Sequence, residues 1–225
     1  MPERKVKRRY QSAVRTIGAQ ETRRKIRAAA AERFVRHGYA GTSMKAIAAA
    51  AGVSEATVFS AFPTKAALLG ECIRVAVRGD DDPAPLLARQ WPRVLLEAPP
   101  ERMLGLLADG SAQLLSRTAR LLAVGESVGP ADLVLNAERE RGRAATHSDL
   151  LKLARAMKRA GVLKRGMSPE HAADVMYALA ASESVYLRLV EHRGWSTADY
   201  ARMLERALAG ALSACPRPTL HARRS

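Results

Sequence analysis

Residues 51–65, AGVSEATVFSAFPTK, carry one acidic and one basic side chain in a chain whose formal net charge is +15. Gly52 and Pro63 interrupt a helical pattern, and Ser54 follows the glycine at the position of a helix N-cap. We therefore predict two short helices joined at Gly52-Val53-Ser54, where the glycine allows a sharp turn. This arrangement is a helix-turn-helix.

Apolar residues around this stretch recur at helical spacing. Gly38 ends the first apolar run, and Thr42 and Ser43 offer an N-cap for the next. Val58 and Phe62 are expected to lock the second short helix against the first and against Phe34. The predicted helices of this region lie at about 22–37, 44–51, 55–61 and 65–78.

The composition indicates a helical protein. Of the 225 residues, 48% are apolar but only 4% are aromatic, which suits closely packed helices better than aromatic-rich strands. Cys72 and Cys215 form no Cys-x-x-Cys motif, as expected in a reducing compartment. The N-terminus shows no apolar signal-peptide segment, and no run of about 18 apolar residues is present. We predict an all-α cytoplasmic protein.

Positive charge is concentrated at the front of the chain. Residues 1–65 hold 14 Lys and Arg against 4 Asp and Glu, which gives +10 of the total +15. Such a cluster fits a phosphate-binding surface, but it fits a solvated tail equally well. We define residues 1–20 as a basic arm whose candidate DNA contacts are Arg4, Lys5, Lys7, Arg8 and Arg9.

The segment from Thr22 to Leu69 resembles the DNA-binding domain of the tetracycline-repressor (TetR) family. Positions matching the family pattern are Thr22, Ile26, Ala29, Phe34, Gly38, Tyr39, Thr42, Ser43, Ile47, Ala48, Ala51, Gly52, Val53, Ser54, Thr57, Phe62, Lys65, Leu68 and Leu69. The resemblance implies an all-helical homodimer with a larger C-terminal domain that binds a small effector. It further implies a transcriptional regulator, usually a repressor, that binds an inverted-repeat operator.

The resemblance also implies roles for individual residues. Phosphate contacts fall on Thr42, Ser43, Thr57 and Lys65. Glu55 and Ala56 fall at base-contacting positions, where a glutamate accepts from cytosine N4 and an alanine contacts a thymine methyl. The remaining predicted DNA-binding residues are Lys45, Ser54, Phe59 and Ser60.

The second short helix departs from the family pattern. Many members have a tyrosine where this chain has Phe59, so a hydroxyl that contacts phosphate is missing. The basic arm is a candidate substitute, since N-terminal arms of other DNA-binding proteins reach into the minor groove.

The acidic run Asp80-Asp81-Asp82-Pro83 marks a composition change that we take as a domain boundary. The predicted divisions are an arm at 1–20, a DNA-binding domain at 21–79, an effector-binding and dimerisation domain at 80–215, and a tail at 216–225. Helices in the larger domain are predicted at about 84–97, 101–123, 130–143, 148–160, 168–194 and 197–212.

Two residue sets are proposed within the larger domain. Candidates for lining an effector cavity are Trp91, Met103, Leu107, Leu114, Leu115, Met176 and Tyr177, for which core packing is the competing use. The C-terminal helix pair resembles that of many TetR-type regulators, whose pairs form a four-helix dimer interface. Candidate interface residues are Val185, Leu189, Tyr200, Met203, Leu204, Leu208 and Leu212.

An enzyme and a nonspecific DNA coat are the alternatives. The five histidines show no metal-ligand spacing, and the chain contains neither a Gly-x-Ser-x-Gly motif nor a phosphate-binding glycine loop. We therefore expect no enzymatic activity, no metal and no cofactor. A nucleoid-type coat is compatible with the +15 charge, and it would bind all sequences alike.

Overall fold

The computed structural model describes residues 3–82, 86–88, 90–128 and 132–213, apart from the side chains of residues 3–16 and 88. All regular secondary structure in these ranges is helical, which confirms the predicted all-α class. The described chain divides into two compact units, Met1–Asp80 with Arg120–Glu140 and Asp81–Ala119 with Arg141–Ser225.

The first unit begins with four helices, namely α1 (Glu3–His37), α2 (Met44–Ala51), α3 (Glu55–Ala61) and α4 (Lys65–Arg78). The bounds of α2, α3 and α4 are those predicted from the sequence, because each begins at a hydroxyl N-cap. The caps are Ser43, Ser54 and Thr64, whose side chains each accept a backbone N–H three residues on. Helix α1 starts well before the predicted position, so the backbone of the basic arm continues the helix from Glu3.

An apolar core holds this unit together. Its fully buried members include Ile26, Phe34, Ile47, Val58, Leu68 and Leu69. Leu121 and Leu135, from the later segment of the unit, lie in the same cluster. Burying a side chain of this size contributes roughly 1.5–3 kcal/mol, so the cluster fixes the three short helices on α1.

The second unit contains most of the remaining helices. A 3-10 turn at Leu86–Ala88 precedes α5 (Gln90–Glu97), α6 (Pro100–Ser127), α7 (Leu133–Arg159), α8 (Pro169–Ala180), α9 (Glu183–Tyr186) and α10 (Thr197–Leu212), with a π-helical turn at Leu187–Glu191. The predicted capping of α8 by Ser168 and of α10 by Ser196 is confirmed. By sequence, α6 and α7 each contribute to both units.

Several predicted helices differ from the structure. The helix predicted at 84–97 is helical as α5 only from Gln90, after a 3-10 turn at Leu86–Ala88. The predicted break at 143–148 is wrong, since α7 runs on through Ala144 and Ala145, two strong helix formers. The predicted helix over 168–194 is interrupted at Ala181 and Ser182. There the Ser182 hydroxyl bonds to that of Ser184, and such local polar contacts compete with helical bonding.

The compact units also differ from the predicted division of the chain. Residues 120–140 group with the DNA-binding helices rather than with the second unit. Leu121 and Leu135 account for this grouping, because both are buried in the first unit's core. The tail at 216–225 lies outside the described residues.

Candidate nucleic-acid interface

Backbone hydrogen bonds build the turn between α2 and α3. Gly52 has a φ of 66°, a left-handed conformation that residues with a Cβ rarely adopt. Its N–H donates to the Ala49 carbonyl at 3.3 Å, and the Val53 N–H donates to the Ala48 carbonyl at 3.1 Å. These bonds end α2 and set the direction in which α3 leaves.

Side chains fix both ends of α3. At its start, Ser54 Oγ accepts the Thr57 N–H at 3.1 Å and lies 2.7 Å from the Thr57 hydroxyl. At its end, Arg23 of α1 donates to the Ala61 carbonyl and stacks 4.2 Å from the centroid of the Phe62 ring. A guanidinium at a helix C-terminus also complements the helix dipole. The helix is therefore held in one orientation on α1.

Helix α3 has one buried and one exposed face. Val58 is fully buried and Phe62 is 2% exposed, whereas Phe59 between them is 46% exposed. At 100° per residue, four exposed positions cover about 140° of the helix surface. We call this surface the α3 face, and it consists of Glu55, Ala56, Phe59 and Ser60. One carboxylate is its only ionisable side chain.

The start of α2 adds a polar edge. Ser43 is exposed and its Oγ accepts the Ala46 N–H at 3.1 Å. Lys45 is exposed in the first turn. A helix N-terminus next to an ammonium group suits a phosphate, so these two predicted residues are available for backbone contacts.

Two other predicted phosphate contacts have internal partners. Thr42 is 1% exposed, and its hydroxyl bonds to the carbonyls of Gly38 at 2.8 Å and Arg33 at 3.1 Å. Lys65 Nζ donates to the carbonyls of Tyr39 at 2.8 Å and Thr42 at 2.9 Å. Burial lowers the pKa of Lys65, although the charge of Asp132 opposes this effect. Both side chains therefore stabilise the turn between α1 and α2.

Tyr39 and Asp132 form a contact that we did not predict. The Tyr39 hydroxyl donates to Asp132 Oδ2 at 3.2 Å, and the Lys65 ammonium lies 4.1 Å from the centroid of the Tyr39 ring. Asp132 Oδ1 accepts the N–H groups of Val134 and Leu135, which caps α7. Burial, with the charge and hydrogen bond of Asp132, raises the pKa of Tyr39 to about 12. One carboxylate thus joins the start of α7 to the α1–α2 turn.

The comparisons agree with this geometry. Residues 26–72 match the family model "Bacterial regulatory proteins, tetR family". This segment of the chain is similar to the tetR family. The match covers the helix-turn-helix and its supporting helices, so the resemblance noted in the sequence is confirmed for this segment.

Solved structures extend the TetR likeness to most of the chain. A protein of Mesorhizobium loti described as a TetR-family transcriptional regulator is 21% identical over 87% of this chain and 98% of its own, with a TM-score of 0.67. Native NalD of Pseudomonas aeruginosa, the secondary repressor of the MexAB-OprM multidrug efflux pump, is 25% identical, with 87% and 98% covered and a TM-score of 0.64. No curated protein matches the sequence. The helical C-terminal part therefore shares the TetR-like fold.

A third structural relative was solved with a ligand. This transcriptional regulator of Saccharomonospora viridis, in complex with choline, is 19% identical over 87% of this chain and 99% of its own, with a TM-score of 0.67.

Six of the seven predicted effector residues, all except Leu114, lie in or against the core of the second unit. Met103, Leu107, Leu115 and Met176 are at most 2% exposed. The half-buried members of the set are Trp91, Leu114 and Tyr177. Trp91 donates from Nε1 to the Leu106 carbonyl at 3.1 Å, so its polar atom is already bonded within the chain.

The predicted dimer residues divide into two groups. Tyr200, Leu204, Leu208 and Leu212 are at most 1% exposed and belong to the second unit's own core. Val185, Leu189 and Met203 are half-buried and pack at the edge of that core. Trp195, in the turn before α10, is 38% exposed. Of the predicted interface residues, only the half-buried group has surface to offer a partner, and Trp195 adds to it.

The remaining predictions concern the basic arm, metal sites and membrane-spanning helices. The side chains of Arg4, Lys5, Lys7, Arg8 and Arg9 lie outside the described residues. Within the described ranges, no three His, Cys, Asp or Glu side chains are grouped as a metal site. A helix apolar and long enough to cross the bilayer is not found in those same ranges.

Proposed function

We propose that the protein represses transcription by binding an inverted-repeat operator as a homodimer, and that a small molecule releases it. The α3 face carries this proposal. It is rigidly held, exposed and short enough to enter a major groove about 12 Å wide. Since the face has no basic residue, affinity for phosphates comes from elsewhere, and the exposed Ser43 and Lys45 at the start of α2 are candidates in the described chain.

Dimerisation is supported by the half-buried apolar residues around α9 and α10. A single helix-turn-helix buries too little surface for tight specific binding, whereas a dimer reaches two half-sites about 34–36 Å apart. Val185, Leu189, Met203 and the exposed Trp195 offer apolar area for such a partner. Sedimentation of the purified protein should give about twice the chain mass of 24.4 kDa. A monomer at micromolar concentration would contradict this part of the proposal.

The basic arm is proposed to supply part of the phosphate contact. Deleting residues 1–15 removes Arg4, Lys5, Lys7, Arg8, Arg9 and Arg15. Each phosphate contact that is lost lowers the slope of log K against log salt by about 0.9. We expect both affinity and slope to fall, and unchanged values would show that the arm is a solvated helix end.

The effector is proposed to bind among the helices of the second unit. Met103 and Met176 are adaptable side chains in that core, and the Saccharomonospora viridis relative was solved with choline. The ligand would bind more tightly to a dimer conformation whose α3 helices no longer match the half-site spacing. The affinity for the operator would then fall by as much as the ligand prefers that conformation. We also propose that the protein is cytoplasmic, since the DNA that such a regulator binds lies in that compartment.

The decisive experiment is binding to the DNA upstream of the protein's own gene, at near-physiological salt with excess unrelated DNA. A shift restricted to that fragment, which maps to an inverted repeat, is the expected result. Ser60→Glu should abolish the shift because it adds negative charge to the α3 face. Leu96→Glu is the control, since Leu96 is 40% exposed on α5.

The alternative is a nonspecific nucleoid-type coat, which the concentration of +10 in the first 65 residues favours. Equal binding to both DNAs would support this alternative or a regulator of distant genes. Selection from random sequence separates the two, because only a regulator enriches one motif.

A further inference from the structure

The α3 face contains an exposed aromatic ring without a structural partner in the described core. Phe59 is 46% exposed, although its neighbours on the same helix, Val58 and Phe62, are buried. The apolar cluster of the first unit includes both neighbours but not Phe59. The ring thus contributes little to the fold while occupying the surface that faces DNA in the proposed function.

The chemistry of the ring limits what it can recognise. Phe59 has no hydrogen-bonding group and no charge, so it cannot hold a phosphate or bond to a base edge. Its use in a major groove is apolar contact. Among the four bases, thymine alone presents a methyl group there.

The surrounding residues favour the same partner. Ala56 is three residues before Phe59 and is exposed on the same face, so the two can form one apolar strip. Ser60 borders the strip and can bond to either base of a pair, while Glu55 can accept from a cytosine amine. The face carries no Lys or Arg, the side chains that most often bind guanine in the major groove, so it has no group that would favour this base.

We propose that Phe59 determines specificity by contacting a thymine C5-methyl group in each half-site of the operator. This inference rests on the proposed function, since it requires α3 to lie in the major groove. It adds to that function the base that is recognised, a thymine, and the side chain that recognises it, Phe59. Replacing the phenylalanine changes sequence preference more than it changes the fold.

Uracil substitution tests the contact because it removes only the methyl group. An operator is first obtained by selection from random DNA, and each symmetry-related thymine pair is then replaced by deoxyuracil. Burial of one methyl is worth about 0.8 kcal/mol, or about fourfold in affinity, so two half-sites give roughly 15-fold. We expect one thymine pair to show this loss with the wild-type protein.

At the thymine pair assigned to Phe59, the Phe59→Ala variant should bind the thymine and uracil operators equally. Val94→Ala is the matched control, because Val94 is 47% exposed on α5, and it should retain the uracil effect. Matching thermal unfolding of the three proteins would show that truncation leaves the fold intact.

The outcomes separate the two proposals. A pool that never converges on a motif refutes the proposed function, and the role of Phe59 with it. A converged operator without a uracil-sensitive thymine pair refutes only the role of Phe59. The same conclusion follows if Phe59→Ala keeps the full uracil penalty.

Discussion

Gly110 of α6 leaves space that the Trp91 indole fills. A Cβ at Gly110 would lie 1.6 Å from Trp91 Cε2 and 1.7 Å from Nε1. Neither the helix backbone nor a rigid ring can absorb such an overlap. Gly110→Ala must therefore displace the indole and break its bond to the Leu106 carbonyl.

The expected destabilisation follows from these contacts. Loss of a half-buried indole costs about 2–4 kcal/mol, somewhat below the range for a fully buried ring. The lost hydrogen bond adds about 1 kcal/mol, and the better helix propensity of alanine returns about 1 kcal/mol. We expect the free energy of unfolding to fall by about 2–4 kcal/mol, as measured by urea denaturation.

Other glycines provide controls for the same substitution. At Gly142 of α7 no atom lies within 4 Å of an added Cβ, so alanine should stabilise by about 0.5–1 kcal/mol. At Gly105 the nearest atom is the flexible carboxylate of Glu205 at 2.9 Å, and little change is expected.

The decisive control reverses the sign. In a Trp91→Ala background the overlap is absent, so Gly110→Ala should stabilise rather than destabilise. A loss below about 1 kcal/mol in the wild type, or the same loss in both backgrounds, would refute the packing argument.

Three further predictions concern single polar groups. Asp132→Ala should lower the free energy of unfolding by about 2 kcal/mol, of which about 1 comes from the lost α7 cap and about 1 from the lost hydrogen bond to Tyr39. Tyr39→Phe should lower it only by the hydrogen-bond part, about 1 kcal/mol. Fully additive losses in the double variant would contradict a hydrogen bond shared by the two residues. Tyr200→Phe should raise the free energy of unfolding by about 1–3 kcal/mol, because the buried Tyr200 hydroxyl has no hydrogen-bond partner among the described residues. An unchanged or lower stability in urea denaturation would mean that water or another group bonds to this hydroxyl. Stability should fall as the pH rises from about 9 to 12, because burial raises the pKa of Cys72 from 9.0 and of Tyr200 from 10.0, in each case to about 12. The folded state holds these protons more tightly, so their contribution to stability is complete below the ordinary pKa values and is lost progressively as the pH rises from those values to about 12. Tyr200→Phe should flatten this decline, as measured by urea denaturation at successive pH values.

Local signals made the helix-turn-helix predictable. Ser43, Gly52 and Ser54 act on their own helix ends, so the residues that define α2 and α3 are neighbours in sequence. The bounds of the longer helices were predicted less well. The predicted break at 143–148 does not exist in the continuous α7, where buried side chains such as Leu153 and Met157 anchor the helix.

Contacts distant in sequence could not be predicted in this way. Tyr39 and Asp132 are 93 residues apart, and no periodicity relates them. Arg23 bonds to Ala61 across 38 residues, although each lies in a correctly predicted helix. The grouping of residues 120–140 with the first unit has the same origin, because it depends on tertiary packing of Leu121 and Leu135.

Resemblance and exposure identify different residues of the interface. Thr42 and Lys65 match the family pattern, and in this structure they bond to backbone carbonyls that shape the α1–α2 turn. These contacts build the turn whichever DNA sequence is bound. Phe59 departs from the pattern and is exposed, so the fold does not require it. The positions that the fold leaves unconstrained are where a sequence preference particular to this protein can reside, and we expect its operator to be explained by the α3 face rather than by the matched residues.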